Sequence, residues 1–140
     1  MNWPVRPMEP GDRDYVLDTW RRFSRSKFPM SEMSPAAFTK YMARIHAIVG
    51  VCPTLICHDT EDPTLIYGFI TFDPIIRCIH MVNVRNKFRG HKIATTLVRA
   101  AFGGFGGIKH SITVKPLRTL GLAAKWGLTE FDPYLLEGEV

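Results

Sequence analysis

The sequence predicts a mixed α+β fold (α and β elements in one sheet-based domain) over residues 1–140. A chain of 140 residues can bury a core without disulfides or metals. Apolar residues recur at helical spacing in some segments and form short strand-like runs in others. The strand–helix–strand passage from residue 75 to residue 115 requires a parallel pair beside antiparallel neighbours. The expected order is β-α-α-β-β-β-α-β-α-β, a mixed sheet of about six strands with about four helices.

The first part of the chain predicts a strand and two helices. The apolar piece at residues 3–8 is the strand, and Asp12 then caps a helix that runs to about Ser24. Ser34, followed by proline, opens a second helix that ends near Gly50. The residues at helical spacing are Tyr15, Val16, Thr19, Trp20 and Phe23 in the first helix, and Phe38, Tyr41, Met42 and Ile45 in the second.

The middle of the chain predicts an antiparallel meander followed by a helix. Strands are expected at 52–58, 65–72 and 75–84, because turn-forming Asp and Pro residues separate three apolar runs. An apolar stripe marks a helix at 90–102, and the glycines of 103–107 stop it. The remaining elements are expected as a strand at 109–115, a short helix at 117–126 and a strand at 128–136.

The charge of the chain is unevenly distributed. Residues 74–129 contain ten basic residues and no carboxylate. Since the whole chain has a net charge of +5, this window at +10 leaves the remainder at −5. Such a window indicates an anionic partner, and it excludes a catalytic carboxylate within it. Its basic residues are Arg77, Arg85, Lys87, Arg89, Lys92, Arg99, Lys109, Lys115, Arg118 and Lys125.

The composition also argues against several classes of protein. There is no run of about 18 apolar residues, so we expect no transmembrane helix and no membrane partner. The N-terminus lacks the apolar core of a secretory signal, and Cys52, Cys57 and Cys78 form no C-x-x-C pair. Both features favour the reducing cytoplasm. The histidines do not show the spacing of metal ligands, so we expect no metal. The basic window lacks interleaved aromatic residues, so we expect no nucleic-acid partner.

The segment at residues 82–97 is the most informative part of the sequence. A strand ends there, a short basic loop follows, and a helix is expected to begin at Arg89-Gly90. Free N–H groups and the dipole at a helix N-terminus bind anions. Gly90 and Ala94 are small enough to let a ligand approach the backbone. A cation such as Arg89 opposes the helix dipole unless an anion binds between them, so we expect a phosphate site here.

This segment resembles motif A of the GNAT superfamily of N-acetyltransferases. In that family an Arg/Gln-x-x-Gly-x-Gly/Ala loop wraps the pyrophosphate of acetyl-CoA, and here Arg89 matches its first position and Ala94 its last. The order of elements follows the family over nearly the whole chain, in a compact and divergent form familiar from phage genomes. The resemblance implies a GNAT-like sheet and acetyl-CoA as cofactor. The cofactor-binding residues that it implies are Val82, Asn83, Val84, Arg89, Gly90, His91, Lys92, Ile93, Ala94 and Thr95.

Three positions depart from the family pattern. Lys92 replaces the central glycine of motif A, where its side chain either crowds the phosphate or adds a positive charge. A general-base glutamate is often found on the preceding strand, which here lies in the carboxylate-free window. Ala123 stands where the family often has a general-acid tyrosine.

The strand before motif A offers two other candidates for catalysis. His80 is the candidate base, because an unperturbed histidine has a pKa near 6.5 and can accept a proton from an ammonium group. The alternative is a half-buried histidine bound to the backbone. Cys78 is a weaker candidate, with a small core residue as the alternative. Regular alternation would place both on the same strand face as Val82 and Val84.

Two functions stay open at this point. The first is an acetyl-CoA-dependent N-acetyltransferase that acts on a primary amine of a small molecule or a protein. The alternative is a GNAT-fold binding or assembly protein, catalytically weak or inactive, that engages a protein partner. Arg21, Arg22, Arg25 and Lys27 form either a solvated helix end or a docking patch for an acidic partner. A homodimer is left open.

Overall fold

The computed structural model describes the following residues of the chain: 3–26, 30–104, 107–110 and 130–131. Contacts divide the chain into two compact units. The sheet unit comprises Met1–Met8 and Pro53–Val140, and the helical unit comprises Glu9–Cys52. The single domain expected from the sequence stays a prediction.

The helices and strands follow the predicted order as far as they are described. Their bounds are β1 (Val5–Pro7), α1 (Arg13–Arg25), α2 (Pro35–Val51), β2 (Thr54–His58), β3 (Ile66–Asp73), β4 (Cys78–Val84), α3 (Ile93–Phe102), β5 (Lys109–His110) and β6 (Glu130–Phe131). The expected short helix at 117–126 lies outside the described residues, as does most of the two strands expected around it.

The sheet unit contains one mixed sheet. Within the described residues its strands are ordered β1-β2-β3-β4-β5-β6. β1 to β4 pair antiparallel, whereas β5 is parallel to both β4 and β6. The described pairing of β4 with β5 covers Cys78 and Ile79. The predicted mixed class, the antiparallel meander and the parallel crossover through α3 are therefore confirmed.

Helix α3 packs on one face of this sheet. Its residues Ile93, Leu97 and Val98 are buried at the predicted spacing, and burying side chains of this size stabilises the fold by about 1.5–3 kcal/mol each. Gly103 ends the helix with φ +76°, and its N–H donates to the Arg99 carbonyl at 2.8 Å. This packing holds the helix N-terminus beside the end of β4. The other buried residues of the cluster are Cys57, Tyr67, Ile70, Phe72, Ile79 and Ile108.

Strand β4 begins later than the predicted residue, at Cys78. A turn precedes it, in which the Asp73 carboxylate accepts the Ile75 N–H at 2.9 Å and Arg77 adopts φ +52°. The Arg77 guanidinium donates to the Phe102 carbonyl at 3.3 Å and so ties this turn to the end of α3. The run of apolar residues therefore predicted a strand that extends further toward the N-terminus than the observed one.

The helical unit confirms one predicted cap and changes another. The Ser34 hydroxyl accepts the Ala37 N–H at 3.1 Å, as expected of the N-cap of α2. The Asp12 carboxylate instead accepts the Glu9 N–H at 2.8 Å, so it closes the preceding turn and makes no side-chain cap for α1. α2 ends at Val51, one residue beyond the predicted glycine.

None of the helices described is long and apolar enough to cross a bilayer. In the same part of the chain, no group of three or more His, Cys, Asp or Glu side chains could hold a metal ion. Cys52, Cys57 and Cys78 are buried, and none of them forms a disulfide with another.

Gly68 on β3 gives the first testable prediction. A Cβ at this position would lie 2.6 Å from the Asn83 carbonyl oxygen and 3.3 Å from the Val84 Cα, so the backbone of β4 would have to move. We expect Gly68→Ala to lower the free energy of unfolding by roughly 1–3 kcal/mol in urea titrations. The matched control is Gly50→Ala in α2, where a Cβ meets nothing within 4 Å. Gly50→Ala should raise the free energy of unfolding by about 0.5–1 kcal/mol. Equal effects of the two substitutions would contradict the prediction.

Candidate functional site

The end of β4 presents backbone polar groups on the side away from β3. The Arg85 N–H donates to the Tyr67 carbonyl at 2.9 Å, which in this antiparallel ladder makes Val82 and Val84 members of non-hydrogen-bonded pairs. Their N–H and C=O groups therefore point away from β3, whereas those of Asn83 point toward it. Of the three strand residues expected to pair with an extended ligand, Val82 and Val84 have backbone groups that point away from β3, and the pairing itself stays a prediction.

The loop after β4 is longer than predicted, because α3 begins at Ile93 and not at Gly90. A short 3₁₀ turn occupies Asn86–Phe88, and Gly90 and Lys92 then have φ values of +85° and +64°. Two residues with positive φ cannot belong to a right-handed helix. The first helical bond runs from the Thr96 N–H to the Lys92 carbonyl at 3.0 Å. The predicted start at Arg89-Gly90 is therefore wrong by a few residues.

The entry into α3 forms a small concavity of amides. Lys92 is left-handed and Ile93 is the first right-handed residue, and this alternation turns the N–H groups of Lys92, Ile93 and Ala94 to one side. The dipole of α3 adds partial positive charge at the same point. Holding a lysine in the left-handed region costs roughly 1 kcal/mol or more, a strain that is typical of functional sites. Lys92 thus keeps a backbone conformation that glycine favours.

The side chains around this concavity are basic. Arg85, Lys87, Arg89 and Lys92 are exposed, and the sequence places no carboxylate between residues 74 and 129. The Arg89 Nε donates to the Val84 carbonyl at 3.1 Å, which closes the loop onto the end of β4. The arrangement therefore combines oriented amides with exposed cations, which suits an anionic ligand.

An aromatic cluster braces the loop, and sequence reasoning missed it. Tyr67 stacks on Phe88 with ring centroids 3.9 Å apart, and the Trp3 ring meets Tyr67 edge-on at 5.7 Å. The Trp3 indole Nε1–H donates to the His91 carbonyl at 2.9 Å. The Tyr67 hydroxyl donates to the Asp59 carboxylate, and this bond raises the pKa of Tyr67 to about 12. The only sequence signal was a tryptophan near the first strand.

A bulge in β4 changes which residues share a strand face. Consecutive residues of β3 pair with Ile79 and Met81, so His80 is the extra residue. Beyond the bulge, Val82 and Val84 pack against the same core cluster as Ile79. The prediction that Cys78 and His80 share a face with Val82 and Val84 is therefore wrong, because a bulge reverses the alternation.

The two candidate catalytic residues lie close together and are buried. The Cys78 Sγ is 4.0 Å from the His80 Nδ1, and the two residues are 0% and 1% exposed. Burial lowers the pKa of His80 to about 4, against an opposing attraction from Asp73. The imidazole is therefore neutral at physiological pH.

The helical unit contains a shallow cleft of about 750 Å³. The Arg25 guanidinium lies 4.5 Å from the centroid of the Phe38 ring and donates to the Met33 carbonyl at 3.1 Å, so its position is restrained. Arg21 also faces this cleft and pairs with Asp18 at 2.8 Å. The lining combines cations with apolar carbon, and its other members include Pro35, Met42, Ala43 and His46.

Arg22 and Lys27 complete the predicted docking patch. Arg22 pairs with Asp18 at 2.9 Å, in the pattern of a solvated helix surface. Lys27 lies outside the described residues. Whether this end of α1 binds a partner stays a prediction.

No protein-family model and no curated protein match the sequence. Solved structures do match. A GCN5-related N-acetyltransferase from Rhodopseudomonas palustris shares 21% identity at a TM-score of 0.50, covering 71% of this chain and 63% of that one. YjaB from Escherichia coli shares 16% at a TM-score of 0.51, covering 72% and 65%. The chain thus spans less than two thirds of these two proteins.

The third similar structure is aligned over more of its length. It is AAC(6')-Iy in complex with the bisubstrate analogue CoA-S-monomethyl-acetylneamine, with 16% identity, a TM-score of 0.51 and 94% coverage of each chain. At identities this low, the structural likeness establishes a shared fold and nothing further. The meander, the bulged β4, the loop and α3 of this protein form the fold of the GNAT N-acetyltransferases.

Proposed function

We propose that this protein binds acetyl-CoA and transfers its acetyl group to a primary amine of an acceptor. The observation that carries the proposal is the junction of β4 and α3, where backbone groups of β4 that point away from β3 lie beside a concavity of amides surrounded by cations. The fold is shared with N-acetyltransferases, and one matched structure holds a CoA-linked bisubstrate analogue.

The donor set of the junction fits this cofactor. The backbone groups of Val82 and Val84 match an extended pantetheine arm, which carries amides of its own. The N–H groups from Lys92 to Thr95 match a pyrophosphate, and the side chains of Arg89 and Lys92 add positive charge. Bound acetyl-CoA would supply an activated acetyl thioester, and the chain's contribution is to hold and orient it.

His80 is the proposed proton acceptor, with Cys78 as its neighbour. Its neutral imidazole has a lone pair for a proton from the amine, reached directly or through water. A group with a pKa of about 4 accepts a proton less readily than an unperturbed histidine. We therefore expect His80→Gln to lower kcat toward the lower end of the roughly 10²–10⁴-fold range of general bases. Positioning would supply most of the remaining rate.

Calorimetry with acetyl-CoA tests the cofactor assignment. We expect binding that weakens as salt is raised, because the contacts to phosphate are ionic. Acetyl-pantetheine, which lacks the pyrophosphate, is the matched control ligand and should bind more weakly. Absence of binding at millimolar acetyl-CoA would overturn the proposal. Release of the CoA thiol in the presence of a panel of amines then tests transfer.

The alternative function is a GNAT-fold binding or assembly protein that engages a protein partner. Two observations favour it. A lysine side chain stands at the central motif A position, and the cleft of the helical unit is lined by the restrained Arg25 guanidinium together with apolar side chains. Such a lining suits an acidic segment with an apolar residue. The same assay separates the two functions, since acetyl-CoA binding without transfer to any amine supports the alternative.

A further inference from the structure

A hydrogen bond connects the first residues of the chain to the proposed pyrophosphate loop. The Trp3 Nε1–H donates to the His91 carbonyl at 2.9 Å, between residues 88 positions apart in the sequence. The two rings also meet edge-on, with centroids 6.4 Å apart. The indole itself is held by Tyr67 at 5.7 Å, whose ring stacks on Phe88 of the same loop. The indole ring of Trp3 is therefore held by Tyr67 and by its contacts with His91.

This bond determines the direction of one amide of the concavity. A trans peptide is planar, and its C=O and N–H groups point in opposite directions. The carbonyl of His91 and the N–H of Lys92 belong to one peptide unit. Because the indole holds the carbonyl on its own side, the Lys92 N–H must point the other way, toward the side shared by the N–H groups of Ile93 and Ala94.

Lys92 needs such a constraint more than its neighbours do. Its carbonyl accepts the first helical bond, but its N–H precedes that bond, and its backbone has a left-handed conformation that lysine does not favour. A flip of the preceding peptide would turn its N–H away and take the first donor out of the concavity. The hydrogen bond from Trp3 opposes that flip, because the flip would leave the indole N–H without this acceptor.

We infer that Trp3 is a positioning residue for anion binding: through the His91 carbonyl it pre-orients the Lys92 amide toward the pyrophosphate. This inference rests on the proposed function. Trp3 touches no reacting atom in this role. Its contribution is to reduce the ordering that the loop would otherwise undergo when the ligand binds.

The test removes the indole donor and keeps an aromatic ring. Trp3→Phe is compared with β-(3-benzothienyl)alanine at position 3, in which sulfur replaces the N–H at nearly unchanged shape. We expect both to weaken acetyl-CoA binding roughly three- to tenfold, the effect of one hydrogen bond. KM for acetyl-CoA should rise by the same factor with kcat unchanged. Binding of acetyl-pantetheine should not change, because it lacks the pyrophosphate.

Tyr41→Phe is the matched control. It also removes a hydrogen-bonding group from an aromatic side chain, but that hydroxyl bonds to the Ser24 hydroxyl at 2.9 Å in the helical unit and does not belong to the aromatic cluster. We expect it to lower the melting temperature and to leave acetyl-CoA affinity unchanged. Equal affinity for acetyl-CoA in wild type and in the benzothienyl protein would overturn the role of Trp3. An equal loss for acetyl-pantetheine would do so as well, since it would indicate a general structural effect. If the wild type binds no acetyl-CoA, the proposed function fails first and this inference fails with it.

Discussion

Replacing Lys92 by glutamate is expected to weaken acetyl-CoA binding about 100-fold, or about 3 kcal/mol. The substitution puts a carboxylate beside the amide concavity at the start of α3 and removes the Lys92 cation. Repulsion of the pyrophosphate and loss of a charge-assisted contact act in the same direction. The backbone cost stays similar, because glutamate, like lysine, is not a glycine and must adopt φ near +64°.

Calorimetry against two controls checks this effect. Arg99→Glu makes the same change in charge on the same helix, but in its last turn, and should alter affinity little. Lys92→Gly removes the side chain and relieves the left-handed strain, and we expect a loss of less than tenfold because the amides remain. An affinity for Lys92→Glu close to that of the wild type would show that the pyrophosphate does not lie at the start of α3.

The second large effect is a loss of stability in acid that depends on His80. Burial lowers the folded-state pKa of this residue to about 4, whereas an exposed histidine in the unfolded chain titrates near 6.5. Between these two values the unfolded chain binds more protons than the folded protein does. The contribution of neutral His80 to the free energy of unfolding is therefore complete above pH 6.5 and is lost as the pH falls toward 4. The full pKa shift corresponds to about 3 kcal/mol.

Urea titrations at pH 7 and pH 4.5 measure this loss. His80→Gln and His80→Met remove the titrating group with different packing, so they will differ from each other in stability at pH 7. Between pH 7 and pH 4.5, the free energy of unfolding of each variant should nevertheless fall by about 2–3 kcal/mol less than that of the wild type. If either variant keeps the acid sensitivity of the wild type, the folded-state pKa of His80 is not depressed.

The local features of the fold were predictable because they depend on residues a few positions apart. The stripe of Ile93, Leu97 and Val98 indicated helix α3, and Gly103 indicated its C-terminus. Ser34 indicated the N-cap of α2. The basic loop after β4 was visible for the same reason. The anion site proposed there depends on adjacent amides and charges, which a short window of sequence contains.

Two corrections came from features that no local pattern encodes. The left-handed conformation of Lys92 delays α3, although lysine is an ordinary residue inside helices. The extra residue at His80 depends on how β3 and β4 pair along their length, so strict alternation misplaced the faces of Cys78 and Val82. Both are backbone choices that the surrounding structure imposes.

The sequence by itself determined the class of the fold, the order of the described elements and the place where a basic loop meets a helix. Periodicity, caps and charge are short-range properties, so they can be read without a structure. The tertiary structure alone decided that Trp3 meets His91, that His80 is buried, and that the backbone of Val82 and Val84 faces away from β3. Each of these depends on strands and loops from distant parts of the chain, whose arrangement follows from the packing of the whole core.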